Sequence, residues 1–251
     1  MLILPKRIKA NEPIYSMNLM RNTNAIVFCF LFFGVAAAGQ EKIKTATEFP
    51  KMEETPVVDT VAVPMDSIKF SKSSEMLDEE VYWAIVANSL KESNNQEDQE
   101  LFLVAEIEKL TPKEMVGFRL RTDKLLFDTY NPELWCAAYI MNGGVSDGDF
   151  DYFRCWLISR GKDVFYKTKS DPDYLINQVV PDQKSYQFES FWYVAVSAFK
   201  NKTGKELYSY VDYDQFITND ENYPLLNFTW NVDEPQSMGK ICPMLFKNLW
   251  K

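Results

Sequence analysis

Three aspartates alternate along "SDGDFDYFRCW", at Asp147, Asp149 and Asp151; Arg154 follows the last of them, and Asn142 stands just upstream. These residue types suit more than one chemistry. An Asp whose pKa is raised by burial can act as a general base, and an Arg can hold a carboxylate or phosphate in its planar fork. With Tyr139 and Asn142 alongside, that makes a small enzyme acting on an anionic substrate. The same five residues, Asn142, Asp147, Asp149, Asp151 and Arg154, also make a polar surface for a partner. Alternating acids suggest a calcium loop as well, but that pattern needs Gly sixth and Glu twelfth, where Tyr152 and Ile158 stand. No metal is expected here.

Each residue also has a use that needs no ligand. Ser146 and Asp149 have capping-box spacing, and acids in a first helical turn complement the helix dipole. Asp151 and Arg154 are three apart, close enough to pair on one helix face. Phe150, Phe153 and Leu157 line one side of this helix while Tyr152, Cys155, Trp156 and Ile158 fill most of the rest. A helix apolar nearly all round is a buried helix, so Arg154 must carry a partner into the core or its edge.

The elements that position this stretch are helical throughout. Asp78 caps a helix through "EEVYWAIVANSLKES", and "NNQEDQELFLVAEIEKL" continues at helical spacing. Thr111, Pro112 and Glu114 form a start signal with a capping box, and Asn131–Pro132 and Asp171–Pro172 repeat the device. Gly143 and Gly144 end the helix "PELWCAAYIMN" by supplying the left-handed cap. A further helix runs from about Gln187 and stops at Gly204. The expectation is an all-α domain of six to eight helices over residues 77–251, with an irregular aromatic tail from Leu207 and a last apolar turn, "ICPMLFKNLW", docked on the core.

Composition narrows the function. The 251 residues carry a net charge of -9, which repels a phosphate backbone and argues against nucleic-acid binding. There is no His, which removes zinc sites that use it and every Ser-His or Cys-His nucleophile pair. No cofactor is expected.

The N-terminal segment reads as an export signal. Arg21 precedes the apolar run "AIVFCFLFFGVAAA" (Ala25–Ala38), which small residues close and "QEKIK" follows. Fourteen residues at about 1.5 Å rise fall short of the ~30 Å hydrocarbon core. Residues 1–39 are thus expected to be a signal peptide, with residues 1–19 read as an over-called start, since Met20 opens a compact "MRNTN". Residues 40–76, with Pro50, Pro56 and Pro64, read as a flexible linker in which "VVDTVAVPM" has some strand character. The mature chain would be periplasmic or secreted; the alternative is anchorage in the membrane by residues 25–38. Cleavage leaves Cys136, Cys155 and Cys242, enough for one disulfide at most. Cys136 and Cys155 sit among apolar neighbours as small core residues.

"LWCAAYIMNGGVSDGDFDYFRCWLISRGKDVF", "DPDYL" and "FWYVAVSAFKNKTGKEL" together resemble the bacterial domain of unknown function 4240 family. The likeness covers about Asp78 to Leu207 and more loosely the "NYP" and "CPMLFKNLW" tail. It implies a helical domain and no particular activity. Members usually read Ser-Asp-Asp-small-Phe where this chain has Ser146-Asp147-Gly148-Asp149-Phe150. The shifted acid keeps the helix cap but not a pair of adjacent aspartates. The reading favoured is a non-catalytic module that binds a protein or peptide partner. The small enzyme is one alternative and a purely structural envelope protein the other.

Overall fold

Asp78 accepts hydrogen bonds from the N–H groups of Glu80 (3.0 Å) and Val81 (3.1 Å) and so starts α1 (Glu79–Glu92). The computed structural model describes residues 71–218 and 222–250. Signal peptide, start codon, the linker up to residue 70 and the strand suggestion at "VVDTVAVPM" lie outside the described residues. No helix among the described residues is long and apolar enough to cross a membrane.

The chain does not run straight from α1 into the next helix. It breaks at Ser93, and Asn95 caps α2 (Gln96–Ile107) by accepting from Asp98 N at 2.9 Å. Thr111 and Glu114 form the expected capping box at the head of α3 (Pro112–Asp128), and Asn131 caps α4 (Pro132–Asn142) from Leu134 N at 2.8 Å. Gly143 ends α4 with φ +67°, and Gly144 N donates back to Tyr139 O at 2.9 Å. Ser146 and Asp149 cap α5 (Asp147–Ser159) reciprocally, and Gly161 leads into α6 (Lys162–Ser170).

Asp171–Pro172 opens a 3-10 helix, Pro172–Gln178, rather than an α-helix. The segment from Gln187 likewise begins as 3-10 (Glu189–Tyr193) and becomes α7 (Val194–Thr203), which Gly204 stops in the left-handed conformation. A third 3-10 turn, Leu207–Tyr210, leads into an irregular stretch that ends in two short helices, α8 (Gln236–Ile241) and α9 (Pro243–Leu249). The described residues are therefore all-α, with nine α-helices and three 3-10 segments among them, the last two α-helices being the short pair at the tail.

α5 is the central helix. Phe150, Phe153, Cys155, Trp156, Leu157 and Ile158 are all buried, as its all-round apolar composition demands. It packs against α3, α4, α6 and the 3-10 segment Glu189–Tyr193. Trp135 stacks on Phe150 with ring centroids 4.4 Å apart, and Trp156 meets Tyr186 edge-on at 5.1 Å. The tail completes this core: Leu207, Val211, Phe216, Trp230, Met238, Cys242 and Leu245 are buried. The start of the described chain is packed too. Ser73 forms a parallel bridge with Val211, and Leu77 N donates to Gly117 O at 2.9 Å.

Candidate functional site

Arg154 is 1% exposed, and α5 delivers its guanidinium to the C-terminal end of α3. There it donates to Leu126 O, to Asp151 Oδ1 and, at 3.4 Å, to Phe150 O. Leu126 is among the last four carbonyls of α3, which have no partner within the helix and sit at its negative pole. The ring of Phe150 lies 4.7 Å from the guanidinium carbon and that of Tyr130 5.0 Å. This fork is committed to backbone and to Asp151, which is 23% exposed at the edge of the core.

The other sequence candidates are spread along one side of α4 and α5. Asn142 closes α4: its Nδ2 donates to Ala138 O (3.0 Å) and its Oδ1 accepts from Tyr186 N (2.7 Å). Asp149 Oδ2 accepts from Ser146 N (3.0 Å) and Oγ (2.6 Å), while its Oδ1 accepts from Gln187 Nε2 (3.1 Å). The hydrogen bond from Ser146 holds the Asp149 carboxyl below the usual range. Asp147 lies in the first turn of α5 and makes no hydrogen bond or ion pair among the described residues. Asn142 and Asp149 act on the same target, the 186–187 segment, and Phe188 N adds a bond to Tyr152 O at 3.0 Å. Asp151 and Arg154 belong to a separate cluster at the α3 terminus. No group of three potential metal ligands occurs among the described residues.

The segment held in this way forms one wall of a depression of about 430 Å³. Gln187, Phe188, Glu189 and Tyr193 line it from one side, Glu97 and Glu100 of α2 from the other. Gln96 Nε2 donates to Gln187 O at 3.0 Å and ties the walls together. Glu97, Glu100 and Glu189 make no ion pair or hydrogen bond among the described residues. Sequence reading missed all three, because acids on an amphipathic helix look like an ordinary solvated face.

A second buried pair also went unread. Arg119, 5% exposed, donates to Asp123 (Nε–Oδ2 3.2 Å, Nη2–Oδ1 2.7 Å) and to Trp192 O (2.6 Å). Trp192 and Tyr208 lie 5.3 and 5.6 Å from its guanidinium carbon, and Tyr213 OH donates to Asp123 at 3.2 Å. Burial pushes the Asp123 carboxyl up, against the pull of Arg119. The signal was present: an Arg and an Asp four apart, beside the apolar positions Met115, Phe118 and Leu126.

Packing and polar commitments together define a helical scaffold that buries Arg119 and Arg154 and carries an acidic depression among the described residues. Residues 77–201 match the family model described as "protein of unknown function (DUF4240)", and through this segment the chain belongs to that family. No curated protein and no solved structure matches the chain. The tail beyond residue 201 lies outside the match yet contributes Leu207, Met238 and Leu245 to the same core.

Proposed function

We propose that this chain is a non-catalytic module that binds a basic segment of a protein or peptide partner in the depression between α2 and residues 187–193. The observation that carries the reading is the set of three carboxylates, Glu97, Glu100 and Glu189, around a depression lined by Phe188 and Tyr193. Unpaired acids on a surface attract positive charge from a distance, and the half-buried Tyr193 offers ring surface for the methylene stems of Lys or Arg. Asn142 and Asp149 serve this face indirectly, by holding Tyr186 and Gln187 in place.

The test is a titration of the full chain with fluorescent peptides of equal length, one alternating Lys and Leu, one Glu and Leu. The basic peptide should bind, more weakly at high salt, and the double variant Glu97→Lys/Glu189→Lys should lose it. Equal binding of both peptides, or binding that survives the double variant, would leave the structural envelope role as the better reading.

Arg154 supports a structural more than a substrate-holding task, since its donors point at Leu126 O and Asp151. The small-enzyme reading would need that fork free for an anion. The chain is further proposed to be exported through residues 25–38. N-terminal sequencing of the chain recovered from the cell envelope should start at Gln40; a retained Ala25–Ala38 run would mean a membrane anchor instead.

A further inference from the structure

Cys136 of α4 and Cys242, between α8 and α9, are both fully buried thiols. One carbonyl joins them: Met238 O accepts from Cys242 N at 2.9 Å and lies 3.8 Å from Cys136 Sγ. α4 packs on both α8 and α9, so the two side chains meet across the seam between the tail and the family core. The remaining described cysteine, Cys155, lies in the middle of α5 among Trp156, Phe153 and Arg154, away from that seam.

We propose that Cys136 and Cys242 form a disulfide that fastens the C-terminal helix pair to α4, closed by exchange with a small-molecule or protein disulfide during folding in an oxidising compartment. The thiolate of one cysteine attacks the oxidant's disulfide, making a mixed disulfide and releasing one oxidant thiolate. The second cysteine's thiolate attacks the protein sulfur of that bond, forms the Cys136–Cys242 bond and expels the other thiolate. The two cysteine protons end on the two oxidant sulfurs, so the cysteines are oxidised by two electrons and the oxidant is reduced by two.

Timing follows from burial. Once α8 and α9 dock, no oxidant reaches either sulfur, and the hydrogen bond that the Cys242 thiol makes with Cys136, together with burial, keeps it protonated. The bond must form before docking or after the tail opens. A chain folded under reducing conditions therefore stays reduced when oxidant is added later. The pairing links residues 106 positions apart and brings the tail, which the family match does not include, under covalent control. It does not depend on the basic-peptide reading, because neither thiol touches that depression.

The full chain is to be unfolded, reduced and refolded in mixed reduced and oxidised glutathione, then alkylated and mapped by non-reducing peptide mass spectrometry. A Cys136–Cys242 peptide is expected, with Cys155 alkylated only after denaturation. The same link should form in Cys155→Ala and be absent in Cys242→Ala. Refolding with glutathione should raise the melting temperature by several degrees over the reduced chain, and Cys136→Ala should show no such rise. Both thiols recovered alkylated, or linkage of either one to Cys29 or Cys155, overturns the proposal. So does a link that forms equally fast when oxidant is added to the prefolded reduced chain, for then the thiols are not sealed as the packing requires.

Discussion

Asp173 reaches across 72 positions to hold Leu245: its Oδ1 accepts Leu245 N at 2.9 Å, and its Oδ2 accepts Met244 N at 2.9 Å. The carboxylate thereby caps α9, while Asp171, two residues earlier, accepts Asp173 N at 3.0 Å and caps its own 3-10 segment. The two aspartates of "DPD" do different work. The first is local and the second docks the end of the chain.

Asp173 is 8% exposed, and Asp173→Ala leaves the buried Leu245 N–H and the part-buried Met244 N–H without this acceptor. The expected cost is about 2 kcal/mol, in the range of a lost cap with charge. Urea denaturation measures it. Limited trypsin digestion should also cut sooner at Lys240 and Lys247, on α8 and α9. An unchanged digestion pattern would mean that apolar packing alone seats the tail.

Arg154→Leu keeps much of the volume but takes from Leu126 O its charged donor, leaving it Thr129 N at 3.4 Å and Thr129 Oγ1 at 3.2 Å, and leaves Asp151 without the Arg154 cation. Because Asp151 is partly solvated, a loss near the lower end for broken buried pairs is expected, about 2–3 kcal/mol. Binding of the basic peptide by the fraction still folded should not change. A lost affinity with preserved stability would instead make Arg154 a ligand-holding residue.

Asn142→Ala removes the acceptor of Tyr186 N and the donor to Ala138 O. A modest cost of about 1 kcal/mol is expected. Faster amide hydrogen exchange should be confined to the 186–188 segment and the last turn of α4. Exchange spread evenly over the domain would contradict the view that Asn142 acts on this one wall.

Gly117→Ala should destabilise although Ala is the better helix former by about 1 kcal/mol. A Cβ there would meet Leu77 N at 2.7 Å and Glu75 O at 3.2 Å, both backbone atoms that cannot turn aside. The chain entering α1 would have to lift off α3. A lowered melting temperature together with increased exchange at Leu77 N checks this.

Two capping boxes give a pH prediction. The hydrogen bond from Thr111 lowers the Glu114 carboxyl, and that from Ser146 lowers Asp149. Depressed folded values mean that the unfolded chain takes up protons first as pH falls. The stabilisation is present above the ordinary carboxyl range, near pH ~4, and is lost as pH falls through the depressed values. Ser146→Ala should cost about 1 kcal/mol at neutral pH and make the acid side of the stability profile shallower. Identical acid limbs for the two proteins would exclude Asp149 as a contributor.

Much of the fold was legible because helix starts and stops are local events. Thr111 with Glu114, Asn131 with Leu134 and Ser146 with Asp149 exchange hydrogen bonds over three residues, so residue type and spacing suffice. The burial of α5 was legible for a similar reason, since beyond the acids of its first turn its own composition leaves few polar residues, Asp151 and Arg154 chief among them. The 3-10 turns at Pro172 and Glu189 were not, because tight and ordinary helical turns share the same apolar steps.

The sequence by itself determined that the domain is helical, where most of its helices begin, and that Arg154 must bring a partner into the core. Tertiary structure alone decided who the distant partners are: Leu126 O for Arg154, Tyr186 N for Asn142, Leu245 N for Asp173. Those partners are main-chain groups, which nearly every residue possesses, so no side-chain pattern marks them in advance. The depression walled by Glu97, Glu100 and Glu189 arises in the same way, from segments some ninety residues apart that meet only when the core closes.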